Sequence, residues 1–166
     1  MKIFVQRVSG LTSIESQLSP QQKKSAQFKG SGLVVLLGWT QFDAARTDLA
    51  AAEEWLFTRA LGLRIFPDSN DRMNLSLADY LKEHKSEGGI LWVPQFTLAG
   101  KLDSGFRPSF TDAMAPDLAR VRFLEWVKKT EAIQNQNSIN HIFGDFGADM
   151  NLSFTNWGPL SLHLEK

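Results

Sequence analysis

Leu33-Val34-Val35-Leu36-Leu37-Gly38 is the stretch on which the fold turns. Five apolar residues closed by a glycine are too short for a helix and do not alternate. The run fits a strand covered on both faces. Upstream, residues 2–8 (KIFVQRV) are β-branched and aromatic and predict an opening strand. Between these two, Ser9 to Gly32 is polar, holds Pro20, and reads as weak strand and loop, with a hairpin as one arrangement. Downstream, Asp43 stands as a helix cap before Leu49, Ala52, Leu56 and Ala60, which recur at helical steps until Gly62. Leu63–Phe66 then reads as a strand ended by Pro67, and Met73–Leu77 as a short strand or loop. Residues 79–89 are charged and end in Gly88-Gly89, and Ile90–Val93 is a strand ended by Pro94. Ala115-Pro116-Asp117 opens a second helix, with Leu118, Val121, Leu124 or Glu125, and Lys128 in rows and Phe123, Trp126 and Val127 widening its apolar face. Residues 134–140 form a polar connection. Strands return at Met150–Thr155 and again from Leu160, where leucines 160, 162 and 164 alternate with Ser161 and His163. The expected fold is α+β: a single domain, 1–166, of mostly antiparallel sheet, sandwich- or barrel-like, covered by two main helices.

Composition narrows the chemistry. Among 166 residues, 43% are hydrophobic, as in ordinary globular chains, and 18 basic side chains balance 18 acidic ones. A zero balance speaks against a broad basic coat for nucleic acid, though not against a pocket for one nucleotide end. With no cysteine, disulfides, thiolate nucleophiles and cysteine-ligated metals are excluded. No apolar run approaches the ~20 residues of a membrane helix. The opening Met-Lys-Ile-Phe-Val-Gln-Arg places charge where a signal peptide needs apolar residues, so a cytoplasmic protein is expected. His84, His141 and His163 lack metal-ligand spacing, and no metal site is expected from them. The serine elbow G-x-S-x-G and both glycine-rich phosphate loops are missing. Glu53 and Glu54, adjacent on a helix, point apart and read as a solvated face.

Four stretches remain. In Val93–Leu98, Pro94 must end or bulge its strand, leaving the N–H groups of Gln95 and Phe96 for a ligand or for an ordinary loop exit. Asn156-Trp157-Gly158-Pro159 is a turn signal between two strands. In Gly105–Phe110, Arg107 could take a phosphate or carboxylate, or cap a sheet edge. Phe146 and Met150, in Gly144–Met150, pair an aromatic with a thioether; such a pair can hold an adenine or fill a core.

In this order the stretches resemble the D-aminoacyl-tRNA deacylases. The resemblance runs through Gln-Arg-Val at 6–8, the glycine-flanked run 30–38, Arg-Ile-Phe at 64–66 and Met-Asn-Leu-Ser at 73–76. It continues through Pro-Gln-Phe-Thr-Leu at 94–98, Arg-Pro-Ser-Phe at 107–110, Phe-Gly-Ala-Asp-Met at 146–150 and Asn-Trp-Gly-Pro-Leu-Ser at 156–161. It implies a homodimer with its active site at the subunit interface. There Gly158 and Pro159, in cis and held by Arg7, reach into the partner's pocket and exclude L-aminoacyl groups. D-amino acids of many kinds, and glycine, would be accepted. Gln95 and Phe96 would give backbone donors to the oxyanion, with Thr97 beside them, while Phe146 and Met150 cradle the terminal adenine of the tRNA. No cofactor and no side-chain nucleophile are implied; the ribose 2′-hydroxyl would assist water. Two positions depart from the pattern. Pro94 replaces the usual serine and Ser161 the usual threonine. The proline resembles the related animal tRNA deacylases, which accept certain L-aminoacyl-tRNAs, whereas Phe96 and Arg7 resemble the D-specific branch. A relaxed-chirality deacylase and a non-catalytic tRNA-binding module are the alternatives.

Overall fold

The computed structural model describes residues 1–103, 105–134 and 139–166. Its spine is β1 (Lys2–Ser19), a strand long enough to carry neighbours along both edges. One edge bears β2 (Gln22–Lys29) and β3 (Ser31–Gly38) end to end in a single antiparallel register, from Gln17↔Lys23 to Lys2↔Gly38. The other edge carries β8 (Asp149–Glu165). Beyond β3 the order continues in parallel through β6 (Gly88–Pro94) to β7 (Ile139–Phe143). The mixed sheet curls until β2 meets the end of β7, where Lys24 Nζ lies 2.9 Å from Asp145. The result is an α+β fold with a nearly closed barrel.

Parallel pairing explains the unbroken apolar run. On β3, Leu33, Val35 and Leu37 face the helices while Val34 faces the barrel interior. On β6, Ile90 and Trp92 divide from Leu91 and Val93 in the same way. Both faces are covered, so neither strand can alternate with polar residues. Inside the barrel the Phe28 ring lies against Gly32 and Gly89. A Cβ at either glycine would stand 2.5 or 2.6 Å from that ring, which fixes both as glycine.

Two long helices close the outer face. In α2 (Leu49–Gly62), Ala52, Leu56, Phe57 and Ala60 are buried; in α4 (Pro116–Gln134), Ala119, Phe123 and Trp126 are. Phe57 stacks on Trp92 at 6.0 Å, and Trp126 meets Trp92 edge-on at 5.6 Å. Such aromatic pairs add roughly 0.5–1.5 kcal/mol each beyond their area.

Several local expectations are corrected. Asp43 does not cap the long helix. It is the N3 residue of a capping box on Thr40 that starts the short α1 (Gln41–Ala45), and it is buried against the Met1 ammonium at 2.5 Å. Of Leu63–Phe66, only Phe66 joins a strand, β4 (Phe66–Pro67), paired with β5 (Met73–Leu75). The charged segment hides α3 (Leu77–His84); of the 134–140 connection, Gln134 ends a helix and Ile139 begins β7, while 135–138 lie outside the described residues. Asn156–Pro159 lies within one continuous β8 rather than between two strands. Gln6 pairs with Ser161 and Val8 with Asn156, so four residues of β8 bulge opposite Arg7 alone.

Candidate active site

Pro94, last residue of β6, has no N–H, and the ladder ends one residue later. The Gln95 N–H donates to the Leu37 carbonyl at 2.7 Å. The expectation that this N–H faces a substrate is thereby corrected; the ladder has used it. A 3₁₀ turn, Phe96–Ala99, follows, and the first donors of such a turn have no acceptor within it. Among the described residues, the N–H groups of Phe96 and Thr97 find no hydrogen-bond partner. The Gln95 side chain bends back to donate to the Thr97 hydroxyl.

Phe96 is 56% exposed, with its ring edge-on to Phe110 at 5.2 Å. Phe110 in turn lies on Gly100, where a Cβ would approach within 2.9 Å of the ring. Lys101 and Ser109 exchange two backbone hydrogen bonds of 2.9 Å and close a loop that Phe110 directly follows. Arg107, within this closure, is exposed. Gln95, Phe96 and Phe110 line a cavity of about 400 Å³ whose other walls include Trp39, Met114 and Phe146. A mostly apolar hollow lined by Phe96, whose N–H is unpaired, suits a ligand that buries a ring and presents an oxygen.

Phe146 reaches this cavity from the turn between β7 and β8, where Gly147 adopts φ +81° and Ala148 N–H donates to Asp145. Phe123 backs its ring at 6.4 Å, and the Arg120 guanidinium lies over it at 4.9 Å. Met150 is half-buried behind the cavity. A Cβ on Gly144 would stand 2.8 Å from its sulfur and 3.2 Å from Pro94, so the three pack together. Gln95, Phe96, Thr97, Phe146 and Met150 are thus one neighbourhood.

Arg7, Gly158 and Pro159 are not part of it. Arg7 is 8% exposed; its Nε donates to the Trp157 carbonyl at 3.0 Å, its Nη1 to the Ile65 carbonyl, and its plane covers the Trp157 ring at 4.4 Å. Burial pulls this guanidinium below its ordinary pKa. Gly158 has φ +133°, its peptide to Pro159 is cis, and both residues are exposed. A Cβ at Gly158 would meet Arg7 Nη2 at 3.1 Å, a backbone and contact that only glycine allows. Asn156 brackets the bulge, accepting from Leu160 N–H at 2.9 Å and donating to the Ser161 hydroxyl at 3.2 Å. That hydroxyl is the group a threonine at position 161 would also supply. Asn156, Trp157, Phe110 and Arg120 were not singled out individually from sequence. Asparagine two positions before Gly-Pro was the available signal for the first.

The two groups lie at different levels of the sheet, on strands that β1 and β3 separate. The bulge lies level with Arg7↔Leu33, whereas Gln95 follows the Leu37↔Pro94 pair. Five residues of strand separate them, ~16 Å.

Among the described residues, no three His, Asp or Glu side chains cluster as metal ligands, and no helix is long and apolar enough to cross a membrane.

Known proteins align with most or all of this chain. A D-aminoacyl-tRNA deacylase of Janthinobacterium sp. (strain Marseille) is 41% identical over 135 residues, 81% of this chain and 80% of that protein. One from Exiguobacterium sibiricum is 36% identical over 166 residues and covers both chains completely. A solved structure titled c-Myc DNA Unwinding Element Binding Protein superposes with a TM-score of 0.73 at 27% identity, covering 100% of this chain and 99% of that one. The family model described as D-Tyr-tRNA(Tyr) deacylase matches residues 4–165, and the chain belongs to that family.

Proposed function

We propose that this protein hydrolyses the ester between a D-amino acid and the 3′ end of tRNA, acting in the cytoplasm as a homodimer of one deacylase domain per chain. The observation that carries the dimer is that one chain sets the Gln95–Thr97 turn and the Gly158–Pro159 bulge at different levels of its sheet, ~16 Å apart along the strand direction alone. Phe96 and Thr97 are exposed at one level of the sheet and Gly158 and Pro159 at another. A two-fold pairing brings the bulge of one copy over the turn of the other, a contact repeated twice by symmetry.

In that site the terminal adenine rests against Phe146, with Met150 behind it, and the ester carbonyl meets the N–H groups of Phe96 and Thr97. Water attacks the carbonyl carbon with the ribose 2′-hydroxyl at hand. The carbon–oxygen bond to the ribose 3′-oxygen breaks, and that oxygen takes a proton, leaving free amino acid and tRNA. One well-aimed donor to the developing oxyanion is worth roughly 10²–10³ in rate. Gln95 holds Thr97 in place through their side-chain contact. The partner's Gly158–Pro159 backbone, fixed by Arg7, crowds one configuration at the α-carbon, and a glycyl ester, with no side chain, passes.

Pro94 favours one second reading, a deacylase that also clears certain L-aminoacyl-tRNAs, because the proline removes both a hydroxyl and an N–H from the motif. Deacylation of matched D- and L-aminoacyl-tRNA tests both. Strong preference for the D-ester is expected; comparable rates establish the relaxed enzyme. Binding of both esters with turnover of neither leaves only a tRNA-binding module.

A further inference from the structure

A second hollow, about 510 Å³, opens where the barrel fails to close, between β2, β7 and α4. It lies within the size range of small-ligand sites, ~300–1,000 Å³. Ile14, Phe123, Leu124 and Val127 give it an apolar wall, and Ser16 and Ser25 line it with hydroxyls. Leu124 is 51% exposed there, an apolar side chain that the core does not use. Phe146 belongs to both hollows: it lines this one and the cavity of Gln95 and Phe96.

Arg120 stands at that seam. It covers the Phe146 ring at 4.9 Å and donates to the Phe146 carbonyl at 3.3 Å. Among the described residues no carboxylate pairs with it. Its neighbours differ: Arg122 is tied to Glu53 and Glu125, Lys129 to Glu54, and Lys24 to Asp145. The Lys24 contact also offsets the Asp145 carboxylate, the acidic group lining this hollow. His141, 4% exposed, closes the floor. It accepts from Trp92 Nε1 at 3.1 Å through Nδ1, so its proton sits on Nε2, which has no partner among the described residues. Burial holds its pKa at about 4, and near neutral pH the uncompensated charge of the hollow is that of Arg120.

From this juxtaposition we infer that the hollow takes the nucleotide preceding the terminal adenosine, with Arg120 on the phosphate that joins the two. The inference rests on the deacylase reading and extends it. With the terminal adenine on one side of Phe146, the chain must pass Arg120, whose guanidinium lies over that ring and is open to an anion. The next base then finds an apolar wall of the kind that single-strand binders use. A fork of N–H donors suits a phosphodiester better than a point charge does.

The test compares two esters of the same D-amino acid, one on adenosine and one on the dinucleotide CpA, with full D-aminoacyl-tRNA alongside. The native protein should turn over the dinucleotide ester with a kcat/KM about tenfold above the adenosine ester, a gain typical of one charge-assisted contact. In Arg120→Gln the ratio should fall to near unity, and Arg120→Lys should restore part of it. The salt slope of log kcat/KM for the dinucleotide should shrink by about 0.7, the single-strand value for one phosphate. Because the readout is a ratio, a displaced Phe146, which harms both esters, leaves it unchanged. An Arg120→Gln ratio equal to the native one overturns the subsite while the deacylase reading stands. Failure of the native protein to hydrolyse D-aminoacyl-tRNA overturns both.

Discussion

The sheet meets a proline at two levels, Pro94 at the end of β6 and Pro159 within β8, and it uses them in opposite ways. At Pro94 the missing donor ends β6, the chain tightens into the Phe96–Ala99 turn, and two N–H groups are left unpaired, with Phe96 on the wall of a hollow. At Pro159 the strand does not end. β8 bulges between Asn156 and Ser161 and then resumes its pairing with β1 to Glu165. The first region is concave and rich in unpaired donors. The second is convex and fully tied, by Arg7 from below and by Asn156 along its flank. A concave donor site needs a wall and a pinned projection needs a pocket. In one chain, neither finds the other.

The sharpest break in this comparison is Phe96→Pro. Gln95 is extended, with φ −141° and ψ 87°, and Phe96 opens a 3₁₀ turn, so proline fits the backbone and deletes only the donor and the ring. Phe96→Ala deletes the ring alone. The proline variant should fall about 10²–10³-fold below the alanine variant in kcat, read on D-aminoacyl-tRNA. Equal rates would remove the oxyanion role from this end.

Acid sets the window in which either end can be compared. His141 titrates at about 4 in the folded chain against an unfolded value near 6.5, so the unfolded chain binds more protons between these limits. Stability contributed by the neutral ring is complete above pH ~6.5 and lost progressively down to pH ~4, at most about 3 kcal/mol. Urea midpoints measured across this range should slope with pH in the native chain. In His141→Gln the slope should flatten, and an unchanged slope would place the titration elsewhere.

Arg7→Met probes the tied end. It leaves the Ile65 and Trp157 carbonyls without their donor and should lower unfolding stability by about 2 kcal/mol. Rejection of L-aminoacyl-tRNA should weaken with it, because Arg7 is the β1 side chain that holds the Trp157 carbonyl within the bulge. Full stability with intact chiral selection would show that Asn156 alone fixes the projection. The smallest effect is expected at Thr97→Ala, where the backbone donor survives and only the contact with Gln95 is lost. Loss below about threefold in kcat fits a positioning side chain; complete loss of turnover with retained tRNA binding would make the hydroxyl essential.

Much of this was legible in the residues. The runs 33–38 and 90–93 read correctly as strands because parallel neighbours bury both faces, and α2 and α4 declared themselves through long apolar rows. Short elements did not. α3 buries only Leu77 and Leu81, so its charged exterior dominates; the Ser76–Asp79 cap was its signal. β7 contributes five residues behind a polar lead-in. Gly158-Pro159 read as a turn because local rules describe chain reversal and cannot see that β1 continues alongside. The neighbourhood of Gln95, Phe96, Phe146 and Met150 came from motifs in order, yet motif order carries no register. Only the pairing of β1, β3 and β6 reveals that Gly158 lies at a different level of the sheet.

The balance of charge takes its place here as well. Eighteen cations against eighteen anions leave little for a nucleic-acid duplex. Contact through a terminal adenosine and one phosphate asks for little, and it makes the local pairing of arginines more informative than their sum.

Subunit complementation tests the shared site most directly. Phe96→Pro damages the donor end and Gly158→Val the projecting end; each homodimer should be impaired at both of its sites. Co-expressed with different tags and purified through both, the mixed dimer has one site with an intact turn and an intact wall. It should recover about half of the native deacylase activity per dimer, as two-fold symmetry requires. Activity no higher than that of the Phe96→Pro homodimer would mean that each chain completes its own site.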